Sequence, residues 1–157
     1  MYNKVSQTEG EKLMSKVLVL YHSQSGNTEA MAKAVQEGAT SSGAEVTLKK
    51  AADADADDLL NCDAVVMGTA NYFSYEAGMM KDFFDRTFFT LRGKVDNKPY
   101  AVFGSYGGGG TAAIESLAKL CENLGLKKAA DIIGAQRKPS EEALDACKAL
   151  GAKMALL

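Results

Sequence analysis

The chain has 157 residues, 46% of them apolar, and a formal charge of −2. That length and apolar share suit one folded domain with a substantial core and exclude a disordered chain. The balanced charge gives no electrostatic footing for nucleic acid or an anionic membrane surface, and no apolar run approaches the ~20 residues of a membrane span. Residues 1–15 lack the apolar segment of a signal peptide and read as a short polar extension before a single domain, 16–157. Cys62, Cys121 and Cys147 are odd in number, widely spaced and in no C-x-x-C pair, which points to reduced thiols and a cytoplasmic protein.

Val17-Leu18-Val19-Leu20-Tyr21 is the first predicted strand, apolar on both faces. It empties into Ser23-Gln24-Ser25-Gly26-Asn27-Thr28, and a helix follows with Ala30, Met31, Ala34, Val35 and Gly38 on one face. Ser41-Ser42-Gly43 ends that helix, and Ala44 to Leu48 forms a second strand. In Ala51 to Asn61 the acids Asp53, Asp55, Asp57 and Asp58 lack the glycine and terminal glutamate of a calcium loop. They read as a solvated helix start, with Leu59 and Leu60 as its buried edge. Asp63 to Gly68 is the third strand. Its exit, Thr69 to Tyr75, carries three aromatics and leads to a helix with Met79, Met80, Phe83, Phe84 and Phe88 on one side.

Pro99 to Gly104 is the fourth strand, leaving through Ser105-Tyr106-Gly107-Gly108-Gly109-Gly110-Thr111. Four consecutive glycines are costly to order and suit backbone that lies against a ligand. The next helix turns Ile114, Leu117, Ala118, Cys121 and Leu124 inward. Lys127 to Ile133 is the expected fifth strand. The last helix starts at Pro139-Ser140-Glu141-Glu142 and packs Leu144, Cys147, Leu150 and Met154, while Arg137 and Lys138 before it are expected to be solvated.

Strand and helix alternate, so the expected fold class is α/β, a doubly wound five-stranded parallel sheet in the order 2-1-3-4-5. Such sheets bind ligands at the carboxyl ends of their strands. The unusual loops follow strands one, three and four and therefore share one rim. The first loop lacks both the Walker pattern and G-x-G-x-x-G. Its hydroxyls, its glycine and the helix start suit a phosphate monoester held by hydrogen bonds without a cation.

From about Lys16 to Ala155 the chain resembles the short-chain flavodoxin family, whose phosphate loop reads [ST]-x-[ST]-G-x-T, as Ser23 to Thr28 does here. The resemblance implies FMN. It places Ser23, Gln24, Ser25, Gly26, Asn27 and Thr28 at the phosphate. Thr69, Ala70, Asn71, Tyr72, Phe73, Ser105, Tyr106, Gly107, Gly108, Gly109 and Gly110 are placed at the ring system and ribityl chain. Tyr72 and Tyr106 fall where the carriers of that family place stacking aromatics.

Gly68 to Phe73, Ala77 to Asp85 and Arg137 to Glu142 also resemble stretches of the flavodoxin-like NAD(P)H:quinone oxidoreductases. Ala70, Tyr72 and Ser25 depart from that branch, and its long insertions have no counterpart. The resemblance therefore implies two roles. One is an enzyme taking NAD(P)H and a quinone-like acceptor through a two-electron step. The alternative is a carrier serving redox partner proteins. Phe73 stands where the carriers typically have Gly. Because positive φ strains such a residue, one-electron chemistry is expected to be disfavoured. No side chain is read as an acid–base catalyst or metal ligand, His22 is expected to pack at its strand end, and self-association is left open.

Overall fold

Apolar residues alternate between the faces of each central strand, so a strand flanked by helices must bury both sets. In β1 (Lys16–Tyr21), Leu18 and Leu20 point to one layer while Val17, Val19 and Tyr21 point to the other. The computed structural model describes residues 14–157, so all but the last two residues of the expected N-terminal extension lie outside the described residues. The elements after β1 are α1 (Asn27–Ser41), β2 (Glu45–Lys50), a 3-10 turn (Ala51–Asp53), α2 (Ala56–Asn61), β3 (Ala64–Ala70) and α3 (Gly78–Leu91). They continue with β4 (Pro99–Tyr106), α4 (Ala112–Asn123), β5 (Lys127–Lys128), β6 (Ile133–Gln136) and α5 (Glu141–Ala155).

All strand pairs are parallel and the order is β2-β1-β3-β4-β5, with β6 also on β4. This is the doubly wound sheet expected from the alternation. One core layer joins Leu18, Leu20, Val65, Met67 and Val102 to Met80, Phe83, Ile114 and Leu117. The other joins Val17, Val19, Val66, Ala101 and Phe103 to Met31, Val35, Cys147, Leu150 and Met154 of α1 and α5. The second pair of helices packs closely enough that a Cβ on Gly151 would run into the Val35 carbonyl. Cys121 and Cys147 are fully buried, as their spacing suggested.

Two expectations need correction. The fifth strand is not continuous from Lys127 to Ile133. Pairing stops after Tyr100↔Lys128 and resumes at Phe103↔Ile133, so Ala101 and Val102 of β4 face four residues of the neighbouring segment. This is a bulge on an edge strand, where the outer side makes no ladder that would hold a strict register. The stretch around Ala51 to Asn61 is also broken, into the 3-10 turn and α2. There the acids have separate tasks: Asp55 Oδ1 accepts from the Asp58 N–H at 3.2 Å, and Asp58 Oδ2 accepts from the Asp55 N–H at 2.9 Å. That reciprocal cap explains the acidic run, and Lys49 neutralises Asp58 at 2.9 Å.

Candidate functional site

Three loops meet at the carboxyl rim of the sheet. The first joins β1 to α1. Its turn closes when the Gly26 N–H donates to Ser23 Oγ at 3.0 Å, and Gly26 takes φ 95°, a left-handed value natural to glycine. Gly26 occupies the N-cap position and no side chain caps the helix. The Ala30 N–H bonds the Gly26 carbonyl at 3.0 Å, whereas the N–H groups of Asn27, Thr28 and Glu29 have no partner among the described residues. Plain capping by Ser, Asn or Thr is therefore not what this loop does. It leaves an open ring of amides at the positive end of a helix dipole, which is an anion-binding arrangement. Glu29, the acid of that first turn, accepts a hydrogen bond from the Tyr21 hydroxyl at 3.0 Å and lies 3.8 Å from Lys33.

Thr28 is 1% exposed, and its hydroxyl is 2.8 Å from Ser105 Oγ. The pair ties the first loop to the end of β4. Asn71 ties the second loop to the third: its N–H donates to the Ser105 carbonyl at 3.0 Å, and Nδ2 reaches the Gly110 carbonyl at 3.4 Å. A Cβ on Gly109 would collide with Nδ2 of Asn71. Gly110 takes φ 64°, so part of the glycine run answers to the loop's own backbone geometry, while Gly107 and Gly108 face open space.

Tyr72 and Tyr75 exchange two backbone hydrogen bonds, Tyr72 N–H to Tyr75 O at 3.3 Å and Tyr75 N–H to Tyr72 O at 3.2 Å. Phe73 and Ser74 form the hairpin tip between them at φ 59° and 69°. This is a type I′ geometry, normally given to Asn and Gly. The left-handed conformation expected to strain Phe73 is the one it adopts. The paired backbone and the bond from the Ser74 N–H to Asn71 Oδ1, 2.7 Å, hold the strained turn.

The cleft between these loops, about 200 Å³, is lined by Gln24, Ser25, Asn27, Ala70, Asn71, Tyr72, Ser105, Tyr106 and Gly107. Every one was expected at the site. Of the other candidates, Ser23 and Gly26 shape the first turn and Thr28 braces it from below. Buried Thr69 accepts from the Ala77 N–H at 2.8 Å and so sets the start of α3. Phe73 stands 94% exposed at the hairpin tip, and Gly108, Gly109 and Gly110 continue the third loop outside the lining.

Burial raises the Tyr72 hydroxyl above its ordinary range, partly offset by the Gln24 backbone N–H donating to it. His22 lies edge-on to Tyr72, ring centroids 6.1 Å apart. Burial, and then the charge of Lys50, holds its imidazole below the usual range, so His22 packs as a neutral ring at the strand end. Arg137 also lines the cleft. It is exposed, as expected, but its place in the cleft could not be read from the sequence, because it lies far from the other loops in the chain.

Between residues 19 and 151 the sequence matches the Flavodoxin family model. The chain belongs to the flavodoxin family. It is 35% identical to a flavodoxin of Aquifex aeolicus, over 90% of this chain and 86% of that protein. It is 37% identical to an NAD(P)H dehydrogenase (quinone) of Rhizobium johnstonii over 59% of this chain, which spans only 57% of that relative. A solved flavodoxin from the domain Archaea superposes with a TM-score of 0.81 at 29% identity, covering 90% of this chain and 96% of that one. The two expected likenesses, to carrier flavodoxins and to quinone dehydrogenases, are both present. No helix among the described residues is long and apolar enough to cross a membrane.

Proposed function

We propose that this flavodoxin-family protein binds FMN and passes its electrons to and from redox partner proteins. The observation that carries the reading is the uncapped start of α1 opening into the cleft. The site fits FMN in each part: bare amides and the Ser25 hydroxyl for a phosphate, Tyr72 and Tyr106 in the cleft lining for a flat ring, and glycine backbone beside them. When bound, the flavin supplies the electron chemistry, and the protein orients it and sets its surroundings. Ser25, Asn27 and the α1 amides would hold the phosphate. Tyr72 and Tyr106 would bound the ring, and Asn71 would keep the second and third loops in fixed relation. The exposed Phe73, Tyr75 and Met79 give the rim an apolar surface against which a partner can exclude water.

The near-complete match to the Aquifex aeolicus flavodoxin supports the carrier role. So does the turn at Phe73, which already holds the left-handed backbone whose strain counted against one-electron chemistry. The second reading is an NAD(P)H-dependent two-electron reductase of a quinone or similar acceptor. It is favoured by the Rhizobium johnstonii relative and by the Ala77–Asp85 stretch. Steady-state oxidation of NADPH and NADH by the FMN-loaded protein, with and without a quinone, tests the choice. A carrier shows negligible turnover with either nucleotide yet accepts electrons from a flavodoxin reductase. Rapid quinone-dependent turnover with NADPH alone overturns the carrier reading in favour of the enzyme.

A further inference from the structure

We propose that Arg137 is the counter-charge of the flavin phosphate, reaching the first loop from the far side of the sheet. The inference rests on the FMN reading. The phosphate loop itself contains no cation, from Ser23 to Thr28. A phosphate monoester carries about −1.5 to −2 at neutral pH, so a guanidinium sharing its cleft would add a charge-assisted contact to the amides and the hydroxyl. Ser25 and Asn27 share their cleft with one cationic residue, Arg137. The topology explains the meeting. Both β1 and β6 end at the carboxyl rim, and α1 and α5, which follow them, pack against each other on one face. The segment before α5 is thereby brought next to the start of α1, although more than a hundred residues separate them in the chain.

The segment is also fixed there. The Arg137 N–H donates to the Tyr106 carbonyl at 2.7 Å, and Gln136 Nε2 donates to the Gly107 carbonyl at 3.0 Å. Arg137 sits at φ 58°, a left-handed value that a non-glycine residue adopts at a cost. Its guanidinium takes part in no salt bridge among the described residues. Arg86 differs: it is committed to Asp82 and to the carbonyls of Ala51 and Ala54. A planar fork with no carboxylate partner, in the same cleft as the phosphate donors, suits two oxygens of one phosphate.

The test titrates apoprotein with FMN and with riboflavin, read by flavin fluorescence, at several salt concentrations. Arg137→Gly removes the side chain while suiting the left-handed backbone, so the variant keeps its fold; thermal melting checks this. FMN affinity is expected to fall by about tenfold or more, ~1.4 kcal/mol per factor of ten, with riboflavin changed less than about twofold. The salt dependence of FMN binding is expected to flatten in Arg137→Gly. Arg137→Lys should fall between, and Lys138→Ala, next to it but outside the cleft lining, should match the parent. If Arg137→Gly keeps FMN affinity within about twofold, or weakens both flavins equally, the counter-charge role is wrong while the FMN reading stands. If the parent protein does not bind FMN, both fall together.

Discussion

Glycine-to-alanine changes inside helices usually stabilise by up to about 1 kcal/mol, because alanine restricts the unfolded chain and favours the helix. Gly151→Ala in α5 should do the opposite. A Cβ there would be driven into the Val35 carbonyl and would stand 2.8 Å from the Ala39 nitrogen, and both atoms belong to the α1 backbone. No side chain can rotate away, so the helices must separate. Such overpacking costs typically ~1–3 kcal/mol, and a rigid backbone neighbour puts this case in the upper half of that range. Set against the helix-propensity gain, the net effect is a loss of about 2 kcal/mol. For a domain of this size that lowers Tm by roughly 4–8 °C. Denaturant unfolding followed by circular dichroism should show a lower midpoint at unchanged slope. Gly38→Ala would press on Lys148 in the same interface. The double variant should therefore lose less than the two singles together, since one separation relieves both contacts. A Tm for Gly151→Ala equal to or above the parent would refute the close packing of α1 on α5.

Ser25 is exposed and Thr28 buried, so their alterations should part company. Ser25→Ala should weaken FMN by about 1–3 kcal/mol without moving Tm, whereas Thr28→Val, which abandons Ser105, should lower both; identical behaviour would contradict the assigned geometry. Phe73→Gly loses no packing and releases a left-handed strain of about 1 kcal/mol, so Tm should rise by a few degrees; a fall would mean that the side chain has a contact the hairpin needs. Burial pushes the Cys62 thiol up to about 11 and the Cys147 thiol up to about 12, and raises Cys121 as well. A disulfide reagent at pH 8 should leave the native protein untouched and label all three thiols after unfolding. Because the folded state favours the protonated thiols, their contribution to stability is complete below the unfolded thiol range. It is lost progressively from about pH 9 upward as the unfolded chain ionises first. Constant stability between about pH 9 and 11 would contradict this.

The strands, the helices and their order around the sheet could be read from the chain because each depends on local periodicity. Val17 to Tyr21 must be a buried strand, and the right-handed crossover then leaves few topologies. The phosphate loop and the glycine run were legible for the same reason, since unusual residues stood together at predicted strand ends. What a residue does once there was settled by neighbours distant in sequence. Ser23 and Thr28 read as hydroxyls at a phosphate, but the fold gives the first to a turn and the second to Ser105, leaving the amides of α1 bare. Phe73 reads as a residue that avoids positive φ, but two hydrogen bonds between Tyr72 and Tyr75 impose it. The break between β5 and β6 is set by pairing to β4 alone. Arg137 is the clearest case. A cation next to Lys138 in a polar loop carries no periodic signal, and only the packing of α5 on α1 brings it into the cleft of the loop that lacks a charge.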